Sequence, residues 1–249
     1  MITFPRKPEE GWWHERLAFD GDPYFHVGYN CSTCCFPFEK VGYFPSKGKW
    51  FHLPDRINAG LRAIDDEIIA ALSHLLPGGD YIAALLEVAP VSVKLGSSKD
   101  YFANETKIAW ERDDPGALDH YPKIEYYRTE VVPMAEGESL FEFVIPLFGA
   151  PKLETVCAHA EKLTRGVRPT AVAIGVLDAK APAIRDVDHG IGAHWCLAHY
   201  LLDGHHKMYA AAILAKPITM LSLISLTVSG IRTESVDALV DSLGGPEKG

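Results

Sequence analysis

The chain has little of what marks secreted, membrane-spanning or polyanion-binding proteins. Basic residues are in deficit, with 24 Lys and Arg against 33 Asp and Glu and a formal net charge of −9. This balance argues against nucleic acid or an anionic membrane as a partner bound through bulk charge. The first ten residues are polar and hold two prolines, without the apolar segment of a secretory signal peptide. We therefore expect a cytoplasmic protein.

Long apolar runs and internal repeats are also missing. The most apolar stretch, residues 209–228, is interrupted by Lys216 and Pro217, whereas a spanning helix needs about 20 uninterrupted apolar residues. With 249 residues, 47% hydrophobic and 23% charged, the composition is that of a folded globular protein. The length predicts one large domain or two small ones.

Cysteine is sparse but clustered. Three of the five cysteines are Cys31, Cys34 and Cys35, with His26 shortly before them. The two-residue spacing lets two thiolates reach one zinc ion, and a His/Cys set at 194–199 would complete the ligands. Zinc would also explain how the aromatic, loop-rich first 54 residues hold together. Structural thiols and a redox pair stay open as alternatives.

Hydrophobic spacing predicts elements of both kinds before residue 140. Apolar residues at spacings of three and four predict a helix over 55–75, and β-branched residues predict extended chain over 80–95. Residues 96–125 are polar and predict a helical turn and a surface loop. Two strand-like runs, 126–133 and 140–148, flank a hairpin turn.

After residue 140 the pattern alternates between helix and strand, which predicts an α+β or α/β unit. The first predicted helix has its apolar face at Leu153, Val156, Cys157, Ala160 and Leu163. The predicted strands are 170–177, 195–202 and 218–228, and the second predicted helix is 205–214.

The most informative run is Asp203-Gly204-His205-His206-Lys207, where an apolar strand meets a helix. Cationic residues are disfavoured in a first helical turn, whose N–H groups and dipole are positive. An anion such as phosphate would offset the positive charge of these residues and of the helix start, and Gly204 would let the backbone approach the anion closely. Asp203 would cap the helix, orient a histidine or hold magnesium. The alternative is a capped turn whose histidines are exposed or bonded to backbone.

This run resembles the signature turn of the ParB/sulfiredoxin superfamily. The helix before Gly166-Val167-Arg168-Pro169-Thr170 and the exit at Ala215-Lys216-Pro217-Ile218 are similar to that family too. The resemblance covers about residues 140–230, with 1–139 as an N-terminal elaboration and 231–249 as a tail. It implies a mixed sheet with packed helices, so the fold class we expect is α+β: a ParB/sulfiredoxin-like core plus a loop-rich and helical elaboration. The motif is closest in form to the free serine kinases, because sulfiredoxins carry a catalytic cysteine in the matching turn.

The resemblance implies a nucleotide-dependent phosphotransferase or nucleotide hydrolase that uses ATP or ADP with Mg²⁺ on a small molecule. The residues expected to hold the phosphates are Gly204, His205, His206, Lys207, Arg165, Arg168 and Thr170. The residues expected to be catalytic are Asp203, His205, His206 and, as an acceptor-activating base, Glu142, with Glu154 as the alternative base. His199 shares a strand face with Asp203 and is expected to line the site. Two other classes stay open: a nucleotide-sensing module without phosphoryl transfer, and a metal-centred enzyme that uses the His and Cys clusters.

Charge is distributed unevenly along the chain. Residues 145–230 hold eight Lys and Arg against six Asp and Glu, together with six of the eleven histidines. The overall acidity therefore belongs elsewhere, and the candidate phosphate turn lies in the mildly basic part. The expected partners are a nucleotide and a small-molecule substrate, with neither nucleic acid nor membrane.

Overall fold

A computed structural model gives the backbone of a part of the chain. It describes residues 2–4, 12–13, 16–19, 22–26, 39–40, 55–73, 76, 78–110, 125–134, 138–146, 151–180 and 193–226. Cys31, Cys34 and Cys35 lie outside the described residues, and of His26 only the backbone is described.

Strands predominate among the described elements. The strands are β1 (Ile2–Phe4), β2 (Trp12–Trp13), β3 (Arg16–Phe19), β4 (Asp22–His26), β5 (Glu39–Lys40), β6 (Gly79–Val88), β7 (Val91–Val93), β8 (Tyr126–Arg128), β9 (Val132–Pro133), β10 (Ser139–Ile145), β11 (Thr170–Lys180), β12 (His194–Asp203) and β13 (Ile218–Ser225). The helices are α1 (Asp55–Ala59), α2 (Asp66–Ser73), α3 (Tyr101–Trp110), α4 (Leu153–Thr164) and α5 (His205–Leu214). The predicted mixture of helix and strand is confirmed.

Nine strands form one mixed sheet in the order β1-β6-β13-β11-β12-β10-β8-β7, with β9 also paired to β10. The pairs β10–β12 and β11–β13 are parallel, and the others are antiparallel. Because β6 pairs with β13 and β8 with β10, the sheet continues across the predicted boundary between 139 and 140. The strands β2-β3-β4-β5 form a second, antiparallel sheet.

Helices cover both faces of the large sheet. One core joins α1, α2 and α3 to one face of the central strands, through residues such as Ile68, Phe102 and Tyr200. A second core joins α4 and α5 to the other face, through Val156, Met208 and others. The central strands are therefore buried on both sides, which explains their nearly continuous apolar sequences.

The element predictions after residue 140 agree closely with the structure, whereas two before it are wrong. The helix predicted over 55–75 is split into α1 and α2, because Gly60 adopts a φ of 100° and leads the chain away from the helix. Its backbone packs so closely that a Cβ there would lie 2.3 Å from the Arg168 carbonyl oxygen. Where a helical turn and loop were expected, α3 forms a helix of ten residues. The buried Asp100 carboxylate accepts the Ala103 N–H at its start.

The apolar face predicted for α4 is partly wrong. Val156 and Leu163 are buried, but Cys157 is exposed and Leu153 is 72% exposed. The buried stripe runs from Val156 past His159 and Ala160 to Leu163, so the helix is rotated from its predicted orientation. This rotation turns His159 towards the protein.

Within the described part of the chain, no helix has the length and apolar character needed to cross a bilayer.

Candidate functional site

The turn between β12 and α5 has a backbone that only glycine fits. Gly204 has a φ of 103°, and a Cβ there would lie 2.6 Å from the Ala171 Cβ and 2.8 Å from its Cα. The helix then starts at once, with the Met208 N–H donating to the Gly204 carbonyl at 2.7 Å. The sequence prediction of a sharp glycine turn opening a helix at His205 is confirmed.

Within the described part of the chain, no side chain caps the start of α5. A helix leaves its first N–H groups without intrahelical partners, and these groups carry the positive end of the dipole. The capping role considered for Asp203 is therefore wrong: its carboxylate binds Lys207 instead.

Lys207 is folded back under the turn. Its ammonium donates to Asp203 Oδ2 at 2.6 Å and to the Thr170 carbonyl oxygen at 3.0 Å, and its side chain is only 4% exposed. Asp203 is more accessible, at 26%. Lys207 thus supplies a fixed positive charge inside the turn, while Asp203 presents a carboxylate at its surface.

Further basic side chains of α4 and α5 interact with one another. The charge of Lys152, which precedes α4, acts on His206, and Lys162 and Lys207 act on His159. We call Lys152, His159, Lys162, His206 and Lys207 the basic cluster. Asp203 is the carboxylate that opposes them in these pairwise interactions among the described residues.

The pKa values of both partly exposed histidines of the basic cluster are lowered. Burial, with the neighbouring basic groups Lys207, Lys162 and His206, lowers the pKa of His159 to about 4. Burial and Lys152 likewise lower the pKa of His206. Neutral imidazoles can accept or donate one hydrogen bond at each ring nitrogen, and an anion beside them would favour protonation.

His159 is a site residue that the sequence prediction missed. Its Nδ1 atom is shielded from solvent and makes no hydrogen bond within the described part of the chain. The signal was present in the sequence, because a histidine stands on the stripe between Val156 and Leu163 where apolar residues are expected. His206 and Lys207, the residues of α5 that act on His159, are remote from it in sequence. Only the fold therefore reveals the cluster.

The other predicted phosphate ligands have different surroundings. His205 is buried, with its ring centroid 5.4 Å from that of His206. Arg165 is 76% exposed and lies 3.6 Å from Glu161, and Arg168 is paired with Glu87. The Thr170 hydroxyl accepts the Leu61 N–H at 2.7 Å. Two of these residues lie at the turn. His205 starts α5, and the backbone carbonyl of Thr170 accepts a hydrogen bond from Lys207.

Glu142 is far from the turn. It lies opposite Leu197 on β12, six residues before Asp203, which at about 3.3 Å per residue is about 20 Å. Its Oε1 is 2.9 Å from His199 Nε2, and His199 Nδ1 is 2.9 Å from Ser222 Oγ. His199 shares the strand face of Asp203 as predicted, but this buried hydrogen-bond chain occupies both of its ring nitrogens.

A glycine on the intervening strand makes this chain of hydrogen bonds possible. Gly175 lies opposite His199 on β11, and a Cβ there would be 2.8 Å from Ser222 Oγ. The Glu142–His199–Ser222 chain therefore spans β10, β12 and β13. All three residues are at most 5% exposed.

The set proposed to complete a zinc site is divided between the two faces of the sheet. His194 and Cys196 point to the side of α3, where Tyr101 Oη lies 2.9 Å from His194 Nδ1 and 3.8 Å from Cys196 Sγ. His199 points to the side of α5. The described ranges contain no group of three or more His, Cys, Asp or Glu residues able to hold a metal.

No family model, curated protein or solved structure matches this chain. The resemblance to the ParB/sulfiredoxin superfamily rests on its motif residues and stays a prediction.

Proposed function

We propose that the protein binds a nucleotide through its phosphates at the start of α5 and transfers a phosphoryl group to a small molecule. One observation carries the proposal: α5 starts after Gly204 with no cap from a described side chain, and the basic residues His206, Lys207 and Lys152 are on or interact with its first turn. The helix dipole disfavours basic side chains at this position without an anion. A phosphate would offset the dipole and bind the first N–H groups of α5.

The arrangement of elements supports a ParB/sulfiredoxin-like core. The unit β10-α4-β11-β12-α5-β13 alternates strands and helices in the order that the resemblance implies. The nucleotide loop of that superfamily follows the second strand, and the motif 203–207 follows β12, which is the neighbour of β11. ATP or ADP with Mg²⁺ is the proposed cofactor.

Each residue of the turn has a distinct proposed role. Gly204 lets the phosphate approach the backbone, and His206 and Lys152 contact its oxygens. Asp203, held by Lys207, either binds Mg²⁺ or accepts the proton of the acceptor hydroxyl. In the transfer, the bond from phosphorus to the leaving oxygen breaks, a bond to the acceptor oxygen forms, and the nucleotide departs one phosphate shorter.

A second candidate function is nucleotide binding without transfer. The position of Glu142 favours it, because its carboxylate is buried against the ring of His199 and cannot activate an acceptor held at the turn. Asp203, by contrast, is a partly exposed carboxylate of the turn itself. The two functions differ in turnover and share the binding site.

A thermal-shift screen with ATP, ADP, CTP and GTP, each with and without Mg²⁺, tests the binding step. A ligand at one hundred times its Kd stabilises the fold by about 2.7 kcal/mol. We expect at least one nucleotide to raise Tm, and His206→Gln to reduce the shift. Lys107→Gln, which removes an exposed lysine on α3 at the other face of the sheet, is the matched control and should leave it unchanged.

Release of nucleoside diphosphate or monophosphate, measured with a pool of small hydroxyl-bearing acceptors, then separates transfer from sensing. Turnover that Asp203→Asn abolishes supports the phosphotransferase. A nucleotide-induced Tm shift without turnover supports the sensing module. A Tm that no nucleotide changes contradicts both.

A further inference from the structure

Lys207 is the buried member of the ion pair at the turn, and Asp203 is the accessible one. Its ammonium donates to Asp203 Oδ2 at 2.6 Å and to the Thr170 carbonyl oxygen at 3.0 Å. An ammonium has three N–H donors, so most of the hydrogen-bonding capacity of Lys207 is used inside the protein. At 4% exposure, little of its side chain remains accessible to a ligand.

Thr170, which accepts from Lys207 through its carbonyl, is itself fixed by a segment remote in sequence. The residue is fully buried, and its hydroxyl accepts the Leu61 N–H at 2.7 Å. Next to Leu61, Gly60 packs so closely that a Cβ there would lie 2.3 Å from the Arg168 carbonyl oxygen. Lys207 is therefore anchored where the segment that follows α1 packs tightly on the start of β11.

The ion pair leaves one oxygen of Asp203 for other contacts. Lys207 binds Oδ2, and no described residue forms a hydrogen bond with Oδ1. A carboxylate held at one oxygen by a buried, charge-assisted hydrogen bond has a fixed direction. The pair as a whole carries no net charge, so Lys207 offsets the repulsion that Asp203 alone would exert on a nearby anion.

We propose that Lys207 is a positioning residue, which acts on the ligand through Asp203 and does not bind phosphate itself. Anchored on the Thr170 carbonyl, it offsets the charge of Asp203 so that a phosphate can bind beside the carboxylate, and it presents Oδ1 to the ligand. This inference rests on the proposed function, since it concerns the same anion. Lys207 thus differs in role from His206 and Lys152, which contact the phosphate oxygens.

The test is the affinity of the full chain for ADP without Mg²⁺, measured by calorimetric titration in four proteins: the wild type, Lys207→Met, Asp203→Asn and the double variant. Lys207→Met leaves the charge of Asp203 uncompensated and should weaken ADP binding several-fold. Asp203→Asn leaves the ammonium uncompensated and should strengthen it. The double variant loses both charges, and its affinity should return to within about twofold of the wild type.

A direct contact between Lys207 and phosphate predicts a different result for the double variant. Its affinity would then stay as low as that of Lys207→Met, because the phosphate would have lost a hydrogen-bond donor whichever residue stands at position 203. The double variant retains an uncharged pair and needs no unpaired buried charge. If Lys207→Met fails to fold, an affinity of the double variant well below the wild type would still overturn the positioning role.

Thr170 gives a second arm of the test. Because its hydroxyl is bonded to the Leu61 N–H, Thr170→Val should lower Tm and leave the affinity for ADP unchanged. Thr170→Ser, which keeps the hydroxyl, should preserve both. A loss of ADP affinity in Thr170→Val that is absent in Thr170→Ser would show that the hydroxyl binds phosphate, and would overturn the anchoring role of Thr170.

The outcomes separate this inference from the function on which it rests. If ADP binds and the double variant binds it as weakly as Lys207→Met does, the positioning role is refuted and the binding function stands. If neither ADP nor ATP binds to any of the four proteins, the proposed function is refuted and the positioning role falls with it.

Discussion

Gly204, Lys207 and His159 show how single residues set the properties of the turn. Gly204 allows a backbone path that brings the start of α5 against Ala171. Lys207, which the sequence suggested as a phosphate ligand, lies within the protein on Asp203 and Thr170. His159 supplies the basic group on the neighbouring helix. The spacing of the motif predicted the turn, and the direction of each side chain depended on the packing.

Gly204 has a matched control in Gly96, which also adopts a positive φ. Gly204→Ala should lower the free energy of unfolding by about 3 kcal/mol, because left-handed strain of about 1–2 kcal/mol adds to overpacking of about 1–3 kcal/mol. Gly96 also has a positive φ, of 75°, but a Cβ there would meet nothing within 4 Å. Gly96→Ala should therefore cost only the strain of about 1–2 kcal/mol. Urea denaturation checks both, and equal losses would contradict the close approach to Ala171.

The C-terminal ends of α4 and α5 have the same hydrogen-bond pattern but differ in the residue that adopts the left-handed conformation. After α4 and after α5 the chain closes a 6→1 and a 5→2 hydrogen bond around a left-handed residue, which is Gly166 in one case and Ala215 in the other. Alanine at a φ of 49° is strained, whereas glycine is not. The helix predicted over 205–214 is the helix observed, because Asp203-Gly204 begins it and Lys216-Pro217 ends it.

Ala215→Gly should therefore raise the free energy of unfolding by about 1 kcal/mol. The same substitution at Ala212, inside α5, should lower it by about 1 kcal/mol, since glycine weakens a helix interior. Opposite signs in thermal or urea denaturation are the expected result. A loss at both positions would contradict the left-handed end of α5.

The strand-spanning chain of Glu142, His199 and Ser222 should behave as one unit. Ser222→Ala leaves His199 Nδ1 without its partner and should cost about 1–3 kcal/mol. In a His199→Leu background the same change should cost less than half as much, because no buried nitrogen is then left unsatisfied. A double-mutant cycle measures this difference, and additive losses would show that the two groups do not interact.

At the scale of the whole molecule, the strand order of the large sheet determines which residues are in contact. The order β13-β11-β12-β10 brings Ser222 to His199 across Gly175, and puts Glu142 far from Asp203. Neither fact follows from periodicity, because strand order depends on contacts remote in sequence. By contrast, the alternation of side chains along a strand places His194 and Cys196 on the face opposite His199, and this could be read from the sequence. The turn at 203–207 was predictable because its residues are consecutive.

Stability of the whole fold should depend on pH through His159. Its pKa is about 4 in the fold against an ordinary value of 6.5, so between these values the unfolded chain binds a proton that the folded chain does not. Stability from this group is therefore complete above pH 6.5 and is lost as pH falls towards 4. The wild type should lose more stability over this range than His159→Asn does, as measured by urea denaturation at a series of pH values. Parallel curves for the two proteins would show that His159 is not held neutral.

The central claim is that the basic cluster at the start of α5 binds phosphate, and calorimetric titration tests it most directly. The nucleotide that gives the largest thermal shift is titrated into the wild type, Lys152→Gln and Lys107→Gln. Both variants lose one exposed lysine, but only Lys152 acts on His206. The account predicts saturable binding that Lys152→Gln weakens several-fold, or by about 1 kcal/mol, and that Lys107→Gln leaves intact. Equal affinity in all three proteins, or no binding to the wild type, would contradict it.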